Sequence, residues 1–215
     1  MWGLGHILHP DLNEPIFLSY YTAPALLSTA AALIKQDVTA LQMELCGVLV
    51  EPHKNAFSLT WHRDSIPPSV PAAEELATLL AKNPTSIQWN TNISGVDDAC
   101  LLVVPRSHKR ARTDAERVAE REVLEGEMRV VLKRGETVFY DNDILHRAEY
   151  QVGRERRTLH ACTGVGERGR AVGQHGVSWL REVRWEGVAE EMRVRAVEGM
   201  GEEVEKEEKE FLLEG

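Results

Sequence analysis

The sequence predicts a mainly β domain with helical packing at its N-terminal end. Two observations carry that expectation. Within residues 11–40 the apolar positions Leu26, Leu27, Ala30, Leu33 and Ile34 recur at helical spacing. Beyond them the chain breaks into short runs rich in Val, Ile, Leu, Thr and aromatics, each closed by turn residues, the texture of a sandwich or barrel. With 215 residues, 43% apolar and 27% charged, there is material for one sizeable core.

In order along the chain, the apolar positions of 11–40 suit a helix, and 45–50 is an apolar run stopped by Pro52. Residues 57–61 alternate like a strand, and 74–82 look helical up to Pro84. Strand-like runs follow at 86–93, 99–104, 127–133, 137–140 and 158–162. The charged stretch 109–125 predicts an exposed, partly helical insertion. The whole is expected to be a single domain over 1–215, with an acidic tail from about 186. Residues 186–215 hold 11 acidic and four basic side chains, which is −7 of the net −9.

That acidity disfavours a nucleic-acid partner, which needs a basic surface. The longest apolar run has about 12 residues where a membrane span needs roughly 18, so no membrane association is expected. No basic segment precedes an apolar core at the N-terminus, so no signal peptide is expected either. Cys46, Cys100 and Cys162 lie 54 and 62 residues apart, which is neither zinc-ligand spacing nor a disulfide framework. The cytoplasm, a reducing compartment, is the predicted location.

The chemistry concentrates in Phe57-Ser58-Leu59-Thr60-Trp61-His62-Arg63-Asp64. In an unbroken strand, Phe57, Leu59 and Trp61 share one face, and Ser58, Thr60, His62 and Asp64 share the other. An imidazole and a carboxylate two residues apart supply two-thirds of the facial triad of non-haem Fe(II) oxygenases. Eight histidines and eight aspartates give roughly 0.3 such pairs by chance, so the pair alone leaves a solvated strand end equally open. A third ligand is expected from 135–147, where a strand runs into a polar turn and emerges at His146. Eleven residues on stands Arg157, whose planar fork suits a dicarboxylate; a surface cation is the plainer alternative. Along 86–93, either Trp89 and Thr91 or Gln88, Asn90 and Asn92 face the site.

Taken together and in order, these segments resemble the phytanoyl-CoA dioxygenase family. His62-Arg63-Asp64 after Trp61 looks like its proximal iron motif. The apolar strand 100–104 before Pro105-Arg106-Ser107-His108 looks like its strand and Pro-Gly-Ser-His turn, with Arg106 where the family has Gly. Residues 135–146 look like its distal histidine segment, and Arg157 falls at its cosubstrate arginine. The resemblance covers about residues 42–165.

It implies a double-stranded β-helix, cupin-like, holding Fe(II) through His62, Asp64 and His146. It implies 2-oxoglutarate as cosubstrate, its distal carboxylate on Arg157 and Trp89 walling the pocket. The activity implied is a dioxygenase that oxidises a small molecule with O₂, releasing succinate and CO₂. Asp64 fills the carboxylate position, which favours hydroxylation over halogenation. His108 is expected as a turn anchor, and Asp141 and Asp143 as turn formers. A catalytically silent β-helix acting as a binding module is the alternative.

Overall fold

The computed structural model describes residues 3–5, 7–8, 14–81 and 86–165. The acidic tail, His6, His9 and His175 lie outside them. The elements run β1 (Gly3–Leu4), α1 (Pro15–Tyr21), α2 (Pro24–Ile34), β2 (Gln42–Val50), β3 (Phe57–Ser58), α3 (Ala72–Ala81), β4 (Ser86–Asn92) and β5 (Leu101–Val104). Then come α4 (Asp114–Val118), β6 (Met128–Arg129), β7 (Thr137–Asp141), β8 (Leu145–Tyr150) and β9 (Arg157–Gly164).

Helix placement follows local chemistry. Pro15 and Pro24 open α1 and α2, where a missing N–H costs nothing. α2 ends with Lys35 in the left-handed region at φ 61°. α4 starts on a capping box: the Thr113 hydroxyl accepts from the Glu116 N–H, and the Glu116 carboxylate accepts from the Thr113 N–H. Residues 15–34 together are twenty residues of mean hydropathy 1.4, long and apolar enough to cross a membrane by length and composition. They fold as two helices, parted at Thr22 and Ala23. Tyr21, Leu27, Ala30, Ala31 and Ile34 are nonetheless buried.

The strands form two sheets, ordered β1-β2-β9-β4-β7 and β3-β8-β5-β6. All seven residues of β4, an inner strand, are buried, as a strand covered on both faces requires. The second sheet is antiparallel throughout. Two compact units result: one takes Gly3 and the described residues of 49–83 and 89–159, the other takes the remainder. Neither is a continuous stretch, so no single cut of the chain separates them. All the site residues predicted above belong to the first unit.

Within that unit, β5 pairs β8 with Val103 opposite His146 and Leu102 opposite Arg147. Leu101, Val103, Tyr140 and Ile144 pack on one face, and Trp61, Leu102, Val104, Leu124 and Leu145 on the other. His146, Ala148 and Tyr150 therefore share the face of Val103.

Candidate metal centre

The expected strand 57–61 is shorter than predicted, and it is broken by a bulge. Phe57 lies opposite Tyr150 and Ser58 opposite Glu149. The Leu59 N–H still reaches the Ala148 carbonyl at 2.9 Å. An unbroken ladder would then set His62 opposite Leu145; instead it pairs with His146. Thr60 and Trp61 thus stand against Arg147 alone, the two-for-one count of a β-bulge. The extra residue shifts the alternation, so His62 shares its face with Phe57 and not, as the unbroken pattern predicted, with Ser58. Trp61 holds the bulge. Its indole N–H donates to the Glu122 carbonyl at 2.9 Å, and Arg147 lies over its ring at 5.0 Å.

Backbone bonds bring the two ligand segments together. His62 and His146 each donate an N–H to the other's carbonyl at 3.0 Å, and the Asp64 N–H donates to the Asn142 carbonyl at 3.1 Å. His62, Asp64 and His146 consequently offer ligand atoms that all lie within 4.8 Å of one another. The Asp64 carboxylate stands 3.6 Å from His62 Nε2 and 3.7 Å from His146 Nε2, too far for hydrogen bonds. Two donors each about 2.1 Å from one ion, at right angles, would be about 3 Å apart, so the two Asp64–imidazole spacings need only slight contraction to close on a metal.

The tautomers suit that role. His62 Nδ1 sits 2.8 Å from the Thr60 carbonyl, and His146 Nδ1 sits 2.9 Å from the Ile144 carbonyl. A carbonyl only accepts, so each Nδ1 carries the proton and each Nε2 presents its lone pair to Asp64. Burial pushes His146 below its ordinary range; the Asp64 carboxylate opposes the shift, and His62 adds to it. The neutral imidazole is the form that ligates metal. Chemically the donor set fits Fe(II): two imidazoles and one carboxylate would hold the ion through His62, His146 and Asp64.

The residue between the ligands points away from them. Arg63 is buried, and its Nε donates to Glu75 at 2.8 Å. Its Nη1 donates to the Asp143 carbonyl, and its Nη2 to the carbonyls of Ser107 and Arg110, each at 3.0 Å. Glu75 also receives Arg112 and Arg117 at 2.7 and 2.6 Å. Burial raises the Glu75 pKa, but the Arg112 N–H and the guanidinia of Arg63 and Arg112 outweigh it and hold the carboxyl below its ordinary value.

Two of the predicted site residues are placed differently from the expectation. The Arg157 side chain is 61% exposed and meets Glu155 at 3.5 Å. Its neighbour Arg156 is the buried one, with Nε 3.2 Å from Asp98 and its guanidinium 4.6 Å over the Tyr150 ring. Asp98 also accepts from the Thr158 hydroxyl at 2.5 Å, so Arg156 and Thr158 converge on one buried carboxylate. The physical reason is that buried carboxylate: Arg156 satisfies it, and nothing in the local alternation signals it. Tyr150 shares a face of β8 with His146, and Arg156 Nη1 is buried with no hydrogen-bond partner.

Trp89 is fully buried against Phe139, ring centroids 5.6 Å apart. The adjacent Asn90 lies 3.4 Å from the Tyr140 hydroxyl, and the Tyr140 ring meets the His146 imidazole edge-on at 5.4 Å. The face of β4 turned toward His146 is therefore that of Asn90 and Asn92, which belong to the option set aside for Trp89.

His108 is outside the metal group and keeps Nδ1 buried without a partner. Asp141 behaves as a turn former, its carboxylate accepting the Asp143 N–H at 2.7 Å, and Asp143 accepts from the Ser65 hydroxyl. Arg63 and Arg156 are the residues the sequence reading missed. For Arg63 the signal was available: in the middle of His-x-Asp it must point opposite to both ligands.

The family model for phytanoyl-CoA dioxygenase (PhyH) matches residues 4–158. No curated protein matches the chain. Among solved structures, AviO1 from Streptomyces viridochromogenes Tue57 is similar with a TM-score of 0.54 and 18% identity, over 76% of this chain and 66% of that one. SnoN, a non-heme alpha ketoglutarate dependent epimerase from nogalamycin biosynthesis, gives 0.53 and 18%, over 75% and 60%. EvdO2 from Micromonospora carbonacea var. aurantiaca, complexed with 2-oxoglutarate, gives 0.51 and 16%, over 74% and 65%. The chain spans 60–66% of the length of these three structures. At such identities the likeness shows the fold, the cupin-like double-stranded β-helix that the family resemblance implies.

Proposed function

The chain belongs to the phytanoyl-CoA dioxygenase family, and from that premise we propose that it is an Fe(II)- and 2-oxoglutarate-dependent oxygenase acting on a small molecule. The observation that carries the proposal is the triad: His62 and His146 Nε2, both freed by Nδ1–carbonyl bonds, beside the Asp64 carboxylate within 4.8 Å. Bound iron and 2-oxoglutarate supply the O₂ chemistry, with succinate and CO₂ as coproducts. This chain's residues hold and orient. Asp64 balances ion charge, while the reciprocal His62–His146 backbone pair fixes the two imidazoles.

Arg156 is the residue we assign to the distal carboxylate of 2-oxoglutarate, in place of Arg157. Its open Nη1 is a buried cationic donor, and Tyr150 beneath it shares the face of His146. Burial disfavours the Arg156 cation, but Tyr150 and Asp98 more than compensate and raise its pKa, so it stays charged. Cys46, Cys100 and Cys162 are buried free thiols, which suits the cytoplasm as location.

The test is anaerobic. The protein should take up one Fe(II) per chain and develop a visible metal-to-ligand band when 2-oxoglutarate is added. Admitting O₂ should then release succinate. His146→Ala should lose iron and band together. Iron uptake without any band or succinate would make the chain a metal-binding module instead, and iron retained by His146→Ala would remove the triad.

A further inference from the structure

Resting on the iron site proposed above, we propose that Arg63 is a positioning residue of that site: its guanidinium sets the separation between the His62–Asp64 segment and His146. Chain order alone places it well, since it lies between two ligands and points to the side away from them. What it grips there belongs to the third ligand. Nη1 holds the Asp143 carbonyl, three residues before His146. Nη2 holds the Ser107 carbonyl at 3.0 Å, and the Ser107 hydroxyl accepts the Leu145 N–H at 2.7 Å, one residue before His146. The distal histidine is thus tied to Arg63 by two routes, one direct and one through Ser107, which is fully buried.

Glu75 keeps this possible. A buried guanidinium needs an anion, and α3 supplies it at 2.8 Å. The same carboxylate receives Arg117, whose other contacts are the Pro68 and Val70 carbonyls. Arg63 and Arg117 therefore share one stabilising partner, but only Arg63 reaches the segment that carries His146. That difference separates positioning from general stability.

The experiment uses the full chain, stripped of metal, with Co(II) as probe. Affinity is read by calorimetry, site geometry by the Co(II) visible spectrum, and stability by thermal melting. Arg63→Leu should weaken Co(II) by about tenfold to a hundredfold, the usual effect of losing a residue that orients metal ligands, and should alter the spectrum. Arg117→Leu should lower Tm but leave Co(II) affinity within threefold of wild type and the spectrum unchanged. Arg63→Lys keeps the charge opposite Glu75 yet cannot span the three carbonyls. It should recover most of the Tm and still bind Co(II) at least threefold more weakly. This variant decides the matter if Arg63→Leu does not fold. Wild-type affinity in Arg63→Lys, or equal affinity losses in Arg63→Leu and Arg117→Leu, would overturn the positioning role while leaving the site intact. Failure of wild type to bind Co(II) stoichiometrically would overturn the metal site and this inference with it.

Discussion

His62 faces His146 as a doubly hydrogen-bonded antiparallel pair, one register step away from where β3 and β8 would otherwise place it. The bulge at Thr60 and Trp61 makes that step, and it turns the first ligand toward the third. A β-bulge leaves one residue unpaired and is a local cost to the ladder. Here the cost is offset by the Trp61 contacts with Glu122 and Arg147 and by the burial of its ring among Leu102, Val104, Leu124 and Leu145.

Deleting Thr60 tests this directly. Without the extra residue the ladder runs unbroken from Phe57, with Trp61 alone opposite Arg147 and His62 still opposite His146, on the same face. His62 and Asp64 therefore keep their places. Fe(II) or Co(II) affinity should stay near wild type, with far-UV circular dichroism reporting a folded β protein. A loss of metal as large as in His62→Ala would mean that Thr60 is not the extra residue and that the ligand is aimed by the bulge itself.

The sequence revealed the fold class and the ligand identities for a simple reason. Short apolar runs, turn residues and a His-x-Asp pair are local signals. The expected runs at 86–93 and 137–140 are close to β4 and β7 as observed. What stayed hidden depends on long-range pairing. β8, with Leu145-His146-Arg147-Ala148-Glu149-Tyr150, has no β-branched residue and no polar alternation, because Arg147 and Glu149 pair with each other at 2.7 Å on one face. The bulge is visible only as a change of register between two segments some ninety residues apart. The choice between Arg156 and Arg157 was set by Asp98, a buried carboxylate nearly sixty residues upstream.

Arg106 offers a stability test. It stands at φ 67° and ψ 2°, in the left-handed region, at the turn where the family carries Gly. A side chain there costs roughly 1–2 kcal/mol, and glycine gives back part of the gain through its freer unfolded chain. Arg106→Gly should therefore stabilise the protein by about 0.5–1 kcal/mol, read as a higher urea midpoint at unchanged slope. Metal affinity should not change. A lower midpoint would mean that the Arg106 side chain contributes more than its backbone strain costs.

The adjacent arginines give the sharpest prediction. The Arg156 guanidinium is buried, and its Nη1 has no partner, whereas the Arg157 side chain is 61% exposed beside Glu155. Losing a desolvated charge pair with a bound carboxylate costs about 3–5 kcal/mol, because the carboxylate is left without its counter-charge. At about 1.4 kcal/mol per decade, that is a hundredfold or more in affinity. An exposed cation contributes well under about 1 kcal/mol. Arg156→Leu should raise the apparent 2-oxoglutarate constant of the iron-loaded protein at least about a hundredfold, and Arg157→Leu less than about fivefold. Arg156→Leu also strands Asp98: burial raises its pKa, and that arginine is first among the partners that hold its carboxyl below the ordinary value. Arg156→Lys is therefore the companion variant. It keeps a cation beside Asp98 but loses the planar fork, and should weaken 2-oxoglutarate by about tenfold with Tm largely retained. Each variant is titrated anaerobically and followed by the metal-to-ligand band. The opposite ranking would return the carboxylate to Arg157 and mean that its side chain swings inward when the cosubstrate binds. Unchanged affinity in all three would remove this end of β9 from the cosubstrate site.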